Sequence, residues 1–481
     1  MPAETALAFS VAEVDLYERP VHLRLPFRFG VVTLTHCPQA FVRARIVLPD
    51  GRSAWGAAAE LMAPKWFDKN LALSNEDNFD QLRLSLQLAR QAYTASPGES
   101  ASAFGHFARH YAPLIAAGAG HELNPLVACY GPALLDRALL DGLCRAHGLS
   151  FYEAVRRNAV GIDARLSADL AGFDFERLLA ALAPSDSIAL RHTVGLVDPV
   201  TAADVEHPVD DGLPQTLADV VQRTGCRHYK LKVSGQAEAD LDRLSRIAAV
   251  LAPVQGLVVT LDGNEQFADA AAAAGFWQRV RSAPQLRQLV DATLYIEQPL
   301  ARAVALDTGI DELAAMQPVL IDESDSTLDA FERALARGYT GVSSKQCKGI
   351  YRSLLNAARC HARNQNAGRP RCFMSAEDLT TQAGLAVQQD LALVNLIGLG
   401  HVERNGHHYV NGFAGQGAGQ AEGQAFLRAQ PGLYEGAGDG NVRLKVQAGR
   451  LDLRSLSAPG FASGAHPDWS GMAPLRHAAD R

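Results

Sequence analysis

The sequence predicts an α/β protein, a closed (β/α)8 barrel preceded by a smaller α+β domain. Three observations carry this expectation. From about residue 186 onward, short apolar, β-branched runs alternate with amphipathic segments of helical period. Eight such strand–helix units fit within ~220 residues, which matches a closed barrel better than an open doubly wound sheet. Five of the runs end in a lone charged group, as buried parallel strands do when they deliver functional side chains to one end of a sheet.

The elements follow in order. Residues 1–155 form the first domain, with strand alternation over 11–16, 21–25 and 41–48 and Asp50-Gly51 as a hairpin turn. Helical spacing then appears over 72–92 and 133–143. The barrel spans 186–411, with strands near 188–196, 227–233, 257–262, 293–297, 318–323, 340–346, 371–375 and 399–404. Helices are expected over 237–252, 268–282, 327–337 and 352–362. The remaining segment, 412–481, begins with the glycine-rich run FAGQGAGQAEGQ, which reads as loop. A helical turn at 424–428 and strand character at 442–446 and 451–453 suggest partial order.

The bulk properties exclude several classes. The 481 residues are 48% hydrophobic and 20% charged, enough for a large core. The net charge of −7, without any Lys/Arg cluster, argues against a nucleic-acid partner. The seven cysteines form no CxxC pair and read as reduced, buried thiols of a cytoplasmic protein. No run approaches the ~20 apolar residues of a membrane helix, so no membrane is expected. The start of the chain lacks the basic region of a signal peptide. No Gly-x-Gly-x-x-Gly follows a strand, which disfavours dinucleotide binding.

The chemistry lies in the strand ends, Lys230-Leu231-Lys232, Asp262-Gly263-Asn264, Glu297-Gln298-Pro299, Asp322-Glu323-Ser324 and Ser344-Lys345. Asp262, Glu297 and Asp322 close the third, fourth and fifth strands, which are adjacent. Three carboxylates that converge need a cation, and an oxygen-only set suits Mg2+. The competing reading makes each an N-cap of the following helix. Lys232 ends the second strand and Lys345 the sixth, which lie opposite each other in an eight-stranded barrel. Two amines facing a substrate from opposite sides suit proton removal and return at a stereogenic carbon. Lys230 shares the face of Lys232, and a neighbouring cation with partial burial is expected to lower an amine toward the range of a useful base.

This ordered set resembles the enolase superfamily, within it the mandelate racemase/muconate lactonizing enzyme-like group. The two-lysine pattern is similar to the muconate lactonizing and dipeptide epimerase branch. Pro26-Phe27-Arg28-Phe29-Gly30 and residues 56–60 look like that family's N-terminal capping domain. Thr193-Val194-Gly195-Leu196 looks like its first barrel strand, and Pro467-Asp468-Trp469 like a tail that returns to the cap. The resemblance implies a TIM-type barrel with an N-terminal α+β capping domain completed by the C-terminal tail. It implies that Asp262, Glu297 and Asp322 hold Mg2+, which binds the carboxylate of a small substrate, and that Lys232 and Lys345 act as acid and base at the α-carbon. Lys230 would tune Lys232, and Thr193, Asn264 and Glu403 join the substrate-binding set. The family's dimers and octamers suggest a homo-oligomer.

The pattern also departs from the family. Lys348 is followed by Gly349-Ile350 rather than two glycines, and Ser343-Ser344 replace bulkier residues. The eighth strand ends in Glu403-Arg404-Asn405 where amine-binding epimerases show Asp-x-Asp. Arg404, if it points inward, would favour an anionic or polar substrate over a dipeptide. Extra length falls around 64–125, 197–226 and 405–440. Glu377 and Asp378 are acids of unassigned role, and His407-His408 read as loop residues. Met62, Trp66 and Phe67 hint at an apolar lid, although packing explains such residues equally. The expected function is a Mg2+-dependent racemase or epimerase working through an enolate. The alternatives are a cycloisomerase or syn-eliminating lyase on the same fold, and a non-catalytic binding protein.

Overall fold

The computed structural model describes residues 6–365 and 371–476. Three antiparallel strands open the chain, β1 (Ala8–Phe29), β2 (Val32–Val47) and β3 (Ser53–Leu61). Sequence alternation over 11–16 and 21–25 suggested two strands, and the structure joins them as β1. The run continues because Pro20 faces Pro38 across the β1–β2 ladder, so neither amide-less residue leaves an opposing carbonyl waiting. The β2–β3 hairpin turns at Asp50-Gly51 as expected, with Gly51 at φ +86° and its N–H donating to Leu48 O at 2.9 Å. The short β4 (Ala101–Ser102) pairs with the start of β1.

Helices Asn75–Thr94, Ala103–Gly120 and Tyr130–His147 cover one face of this sheet. Ser74 and Asp77 form a capping box at the start of the first. Helix Tyr130–His147 presses so closely on β3 that a Cβ on Gly56 would lie 2.1 Å from Ala138 O and 2.2 Å from Gly142 N. Only glycine permits this approach, and it sets the seat of the sheet on its helical layer.

Eight parallel strands then close a barrel. They are β5 (Ser187–Val194), β6 (His228–Lys232), β7 (Val258–Asp262), β8 (Thr293–Glu297), β9 (Val319–Ile321), β10 (Gly341–Ser344), β11 (Phe373–Ala376) and β12 (His401–Arg404). Pairing runs in sequence order, and β12 returns to β5 with Val402 opposite Leu190. The outward residues Tyr229, Leu231, Val259 and Leu261 are buried beneath the helices. The interior is unusual in its polarity. Arg191, Lys230, Glu297, Ser375 and Glu377 occupy positions where such barrels commonly stack branched aliphatic side chains.

The tail is more ordered than its glycine content suggested. Helices Gly412–Gly415 and Gln420–Ala429 form within it because Phe413 and Phe426 anchor them, both buried with rings 5.2 Å apart. A hairpin follows, β13 (Tyr434–Gly436) with β14 (Val442–Leu444). Strand β15 (Arg450–Asp452) then adds to β5, and β16 (Ala473–Pro474) pairs with β1. The tail thereby joins the barrel to the N-terminal sheet. All seven cysteines are buried and free. Among the described residues no helix is long and apolar enough to cross a membrane.

Gly56→Ala is expected to cost at least about 1–3 kcal/mol by overpacking, read as a lower urea midpoint. An unchanged midpoint would show that the helix can move off the strand freely.

Candidate active site

The ladder register places the strand-end charges side by side. Lys232 stands opposite Asp262, and Asp262 opposite Glu297. Asp322 follows the last residue of β9 and Lys345 the last residue of β10. Two ion pairs form between them. Lys232 Nζ lies 2.5 Å from Asp262 Oδ2 and Lys345 Nζ 2.6 Å from Asp322 Oδ2. Ser343 Oγ donates to Asp322 Oδ1 at 2.5 Å. Lys348 bridges Asp325 at 3.0 Å and Asp322 at 3.6 Å. Ser343, one of the two serines that depart from the family pattern, and Lys348 thus join the Asp322 network.

Lys230 occupies a nest of four carboxylates. Its Nζ lies 2.9 Å from Asp262, 2.8 Å from Glu297, 2.7 Å from Glu377 and 2.9 Å from Glu403. Glu377 is held from below by Arg191, by Tyr295 O–H at 2.9 Å and by Ser375 O–H at 2.6 Å. Sequence reading left Glu377 without a role and missed Arg191 altogether. The signal was present, since Arg191 lies two residues before Thr193 and shares its inward face. Thr193 Oγ1 donates to Glu403 at 2.6 Å. Arg404, one residue past Glu403, points out of the barrel and pairs with Asp378 and Asp390. It therefore does not favour an anionic substrate.

The electrostatics correct one expectation. Burial works to lower Lys230, but Asp262, Glu297, Glu377 and Glu403 outweigh it and hold the ammonium well above the usual lysine range. Burial likewise opposes Lys345, and Asp322 with Glu297 and Glu323 pushes it up. Lys230 does work to lower Lys345, but the carboxylates outweigh it. Burial raises Glu297 far above the carboxylate range, and Asp262 and Glu377 add to the effect. Burial with Asp322 and Glu265 nearby raises Glu323 to about 7.

Among the described residues, no three acidic, histidine or cysteine side chains are arranged to share a metal ion, since lysines draw Asp262 and Asp322 to themselves. The donor set nonetheless fits a hard divalent cation in kind. Asp262, Glu297 and Asp322 are carboxylates on neighbouring strand ends, and after burial it is the nearby Asp262 and Glu377 carboxylates that push Glu297 up.

A cavity opens above the lysines, with Lys232 and Lys345 both in its wall. Phe27, Phe29, Ala63 and Trp66 roof it from the N-terminal domain, and Asn264, Asp378, Leu379, Thr380, Glu403 and Asn405 complete it. It admits about 20 Å3, roughly one water molecule. Lys230 and Thr193 do not line it. The Trp66 ring centre lies 4.4 Å from Lys345 Nζ. Arg302 pins the roof loop through Trp66 O at 2.8 Å and Phe67 O at 3.0 Å, and Glu265 braces Arg302 at 2.8 Å. Of the three hinted lid residues, Trp66 alone reaches the cavity; Met62 and Phe67 are buried in packing. His407 and His408 lie in a short helix and pack around His192, away from this cavity.

A barrel with carboxylates at its third to fifth strand ends and lysines at its second and sixth defines a class of protein. Residues 213–433 match the family model described as enolase C-terminal domain-like. This stretch, the greater part of the barrel, is similar to the C-terminal domain of the enolase superfamily, in its mandelate racemase/muconate lactonizing enzyme-like group. No curated protein matches the chain. Among solved structures, an isomerase from Streptomyces coelicolor A3(2) is similar at 16% identity and a TM-score of 0.58, covering 98% of this chain and 99% of its own. The L-Ala-D/L-Glu epimerase from Bacillus subtilis is similar at 15% identity and a TM-score of 0.57, covering 94% and 98%. An enolase from Bradyrhizobium, complexed with magnesium and mandelic acid, is similar at 16% identity and a TM-score of 0.58, covering 97% and 98%. These likenesses establish the shared fold.

Lys230→Met is expected to destabilise the protein by about 3–5 kcal/mol, because it leaves four buried carboxylates without their common cation. Urea denaturation checks this, and a loss under about 1 kcal/mol would show that the nest rearranges.

Proposed function

We propose that this protein is a Mg2+-dependent enzyme that moves a proton at the carbon α to a carboxylate, most simply as a racemase or epimerase of a small acid. The observation that carries this reading is that Lys232 and Lys345, from strands on opposite sides of the barrel, line one closed cavity beside Asp262, Glu297 and Asp322. A divalent cation held by Asp262, Glu297 and Asp322 would offset the negative charge that gathers on the substrate carboxylate as the α-proton leaves.

The chain's own residues do the rest. The roof of Phe27, Phe29 and Trp66 keeps bulk water from the space between the lysines. One lysine, as the free amine, takes the proton at Nζ. The opposite lysine, as the ammonium, returns one to the other face. Lys230 stays on Glu377 and Glu403 and keeps positive charge beneath the site. The similarity of the barrel to epimerases supports isomerisation.

A second reading rests on the firm hold that Asp322 keeps on Lys345. An amine so held suits the role of a fixed cation, with Lys232 as the single base. That arrangement serves cycloisomerisation or syn elimination.

In D2O with Mg2+, a panel of chiral carboxylic acids should show α-proton exchange that chelator abolishes. Lys232→Ala and Lys345→Ala should each lose exchange of one enantiomer by about 10^2-fold or more. Retained turnover in Lys345→Arg would sink the two-base mechanism. Absence of exchange from every acid would sink α-proton chemistry itself.

A further inference from the structure

The carboxylates that line the cavity are already paired with cations of the protein itself. A carboxylate offers about four lone-pair sites. Glu403 Oε1 accepts from Thr193 Oγ1 at 2.6 Å and Asn405 Nδ2 at 3.1 Å. Glu403 Oε2 accepts from Lys230 Nζ and from Asp378 N–H, each at 2.9 Å. Asp378 takes four donors as well, three of them at one oxygen. Its Oδ1 accepts from Thr381 N–H at 3.1 Å, from the Thr381 hydroxyl and from Arg404 Nη1 at 2.8 Å. Its Oδ2 accepts from Asn405 N–H at 2.7 Å. An ammonium entering the cavity would meet at least one lysine ammonium and only carboxylates already paired, Glu403 with Lys230 and Asp378 with Arg404.

Three polar atoms of the lining lack any partner, namely Oδ1 of Asn264, Oδ1 of Asn405 and Nε1 of Trp66, all buried. The amide N–H2 of each asparagine donates to a glutamate, Asn264 to Glu323 at 3.2 Å and Asn405 to Glu403 at 3.1 Å. That leaves the neutral oxygens as acceptors. A carbonyl oxygen can accept from an ammonium, but it brings no charge to neutralise one. Apart from Thr380, the rest of the wall is apolar, with Phe27, Phe29, Ala63, Trp66 and Leu379.

We infer that the substrate, on the α-proton reading above, is a carboxylate whose other substituents are uncharged. It carries an apolar, preferably aromatic, group under Phe27, Phe29 and Trp66, and at most a hydroxyl or amide N–H for the two asparagine oxygens. Free amino acids and dipeptides with a charged amino terminus are excluded. The cavity holds one water with the roof in place, so binding of such a group also requires the segment around Trp66 to lift.

Matched pairs test this by isothermal titration calorimetry on the wild-type protein in millimolar Mg2+. 3-Phenyllactate is compared with phenylalanine, and N-acetylphenylalanine with glycylphenylalanine; within each pair the second compound carries an added ammonium. The uncharged member of each pair should bind at least about tenfold more tightly. Equal affinities, the reverse order, or no binding by either uncharged acid would overturn the inference. Binding of the uncharged acids without α-proton exchange would support the inference while sinking the proposed reaction.

Discussion

The barrel end depends on one ammonium. Lys230 is 1% exposed and touches Asp262, Glu297, Glu377 and Glu403 at once. Charges taken this far out of water survive only when paired and hydrogen-bonded. The pairing extends downward through Glu377 to Arg191, Tyr295 and Ser375, so the requirement of one lysine converts the barrel interior into a polar column. It also extends sideways, because Asp262 is shared with Lys232. Branched aliphatic layers would have stabilised the barrel more simply. The polar column instead holds carboxylates and amines at fixed positions along the strands.

The second requirement is closure of that end. The N-terminal sheet reaches over the barrel through its β1–β2 hairpin, and Phe27 stacks on Tyr409 with ring centres 4.1 Å apart. The loop after β3 is tied down by Arg302, and Glu265 also pairs with Lys69 at 2.9 Å. The cap and the barrel are thus latched by charged groups at the rim, with aromatic rings over the lysines. Sealing matters for the chemistry, since electrostatic effects are far stronger where water is excluded. The tail adds a third tie through Glu422, which pairs with Arg19 of β1 at 3.0 Å.

Much of this was legible in the chain. A period of two places Lys230 and Lys232 on one face, and the β-branched runs ending at Asp262 and Glu297 mark the strand ends within a residue. The turn at Asp50-Gly51 followed from local chemistry alone. Other features were hidden because they depend on partners distant in sequence. Glu377 looked like a stray acid until Lys230 and Arg191 closed on it, some 147 and 186 residues away. Trp66 was indistinguishable from Phe67 until Arg302 turned its loop over the cavity. The glycine-rich tail concealed its order because two phenylalanines, separated by a dozen residues, do the anchoring.

The sequence by itself determined the order of amine, three carboxylates and amine, and with it the barrel. Period and strand length are local properties, so a single chain displays them. The tertiary structure alone decided how the charges are shared. It put the carboxylates closer to Lys230 and Lys345 than either amine is to another cation, which reverses the direction in which neighbours shift those two amines. It also paired Glu403 with Lys230 and Asp378 with Arg404 inside the protein. Whether a charge is free or spent depends on distances between strands and loops, and no residue pattern along the chain records those distances.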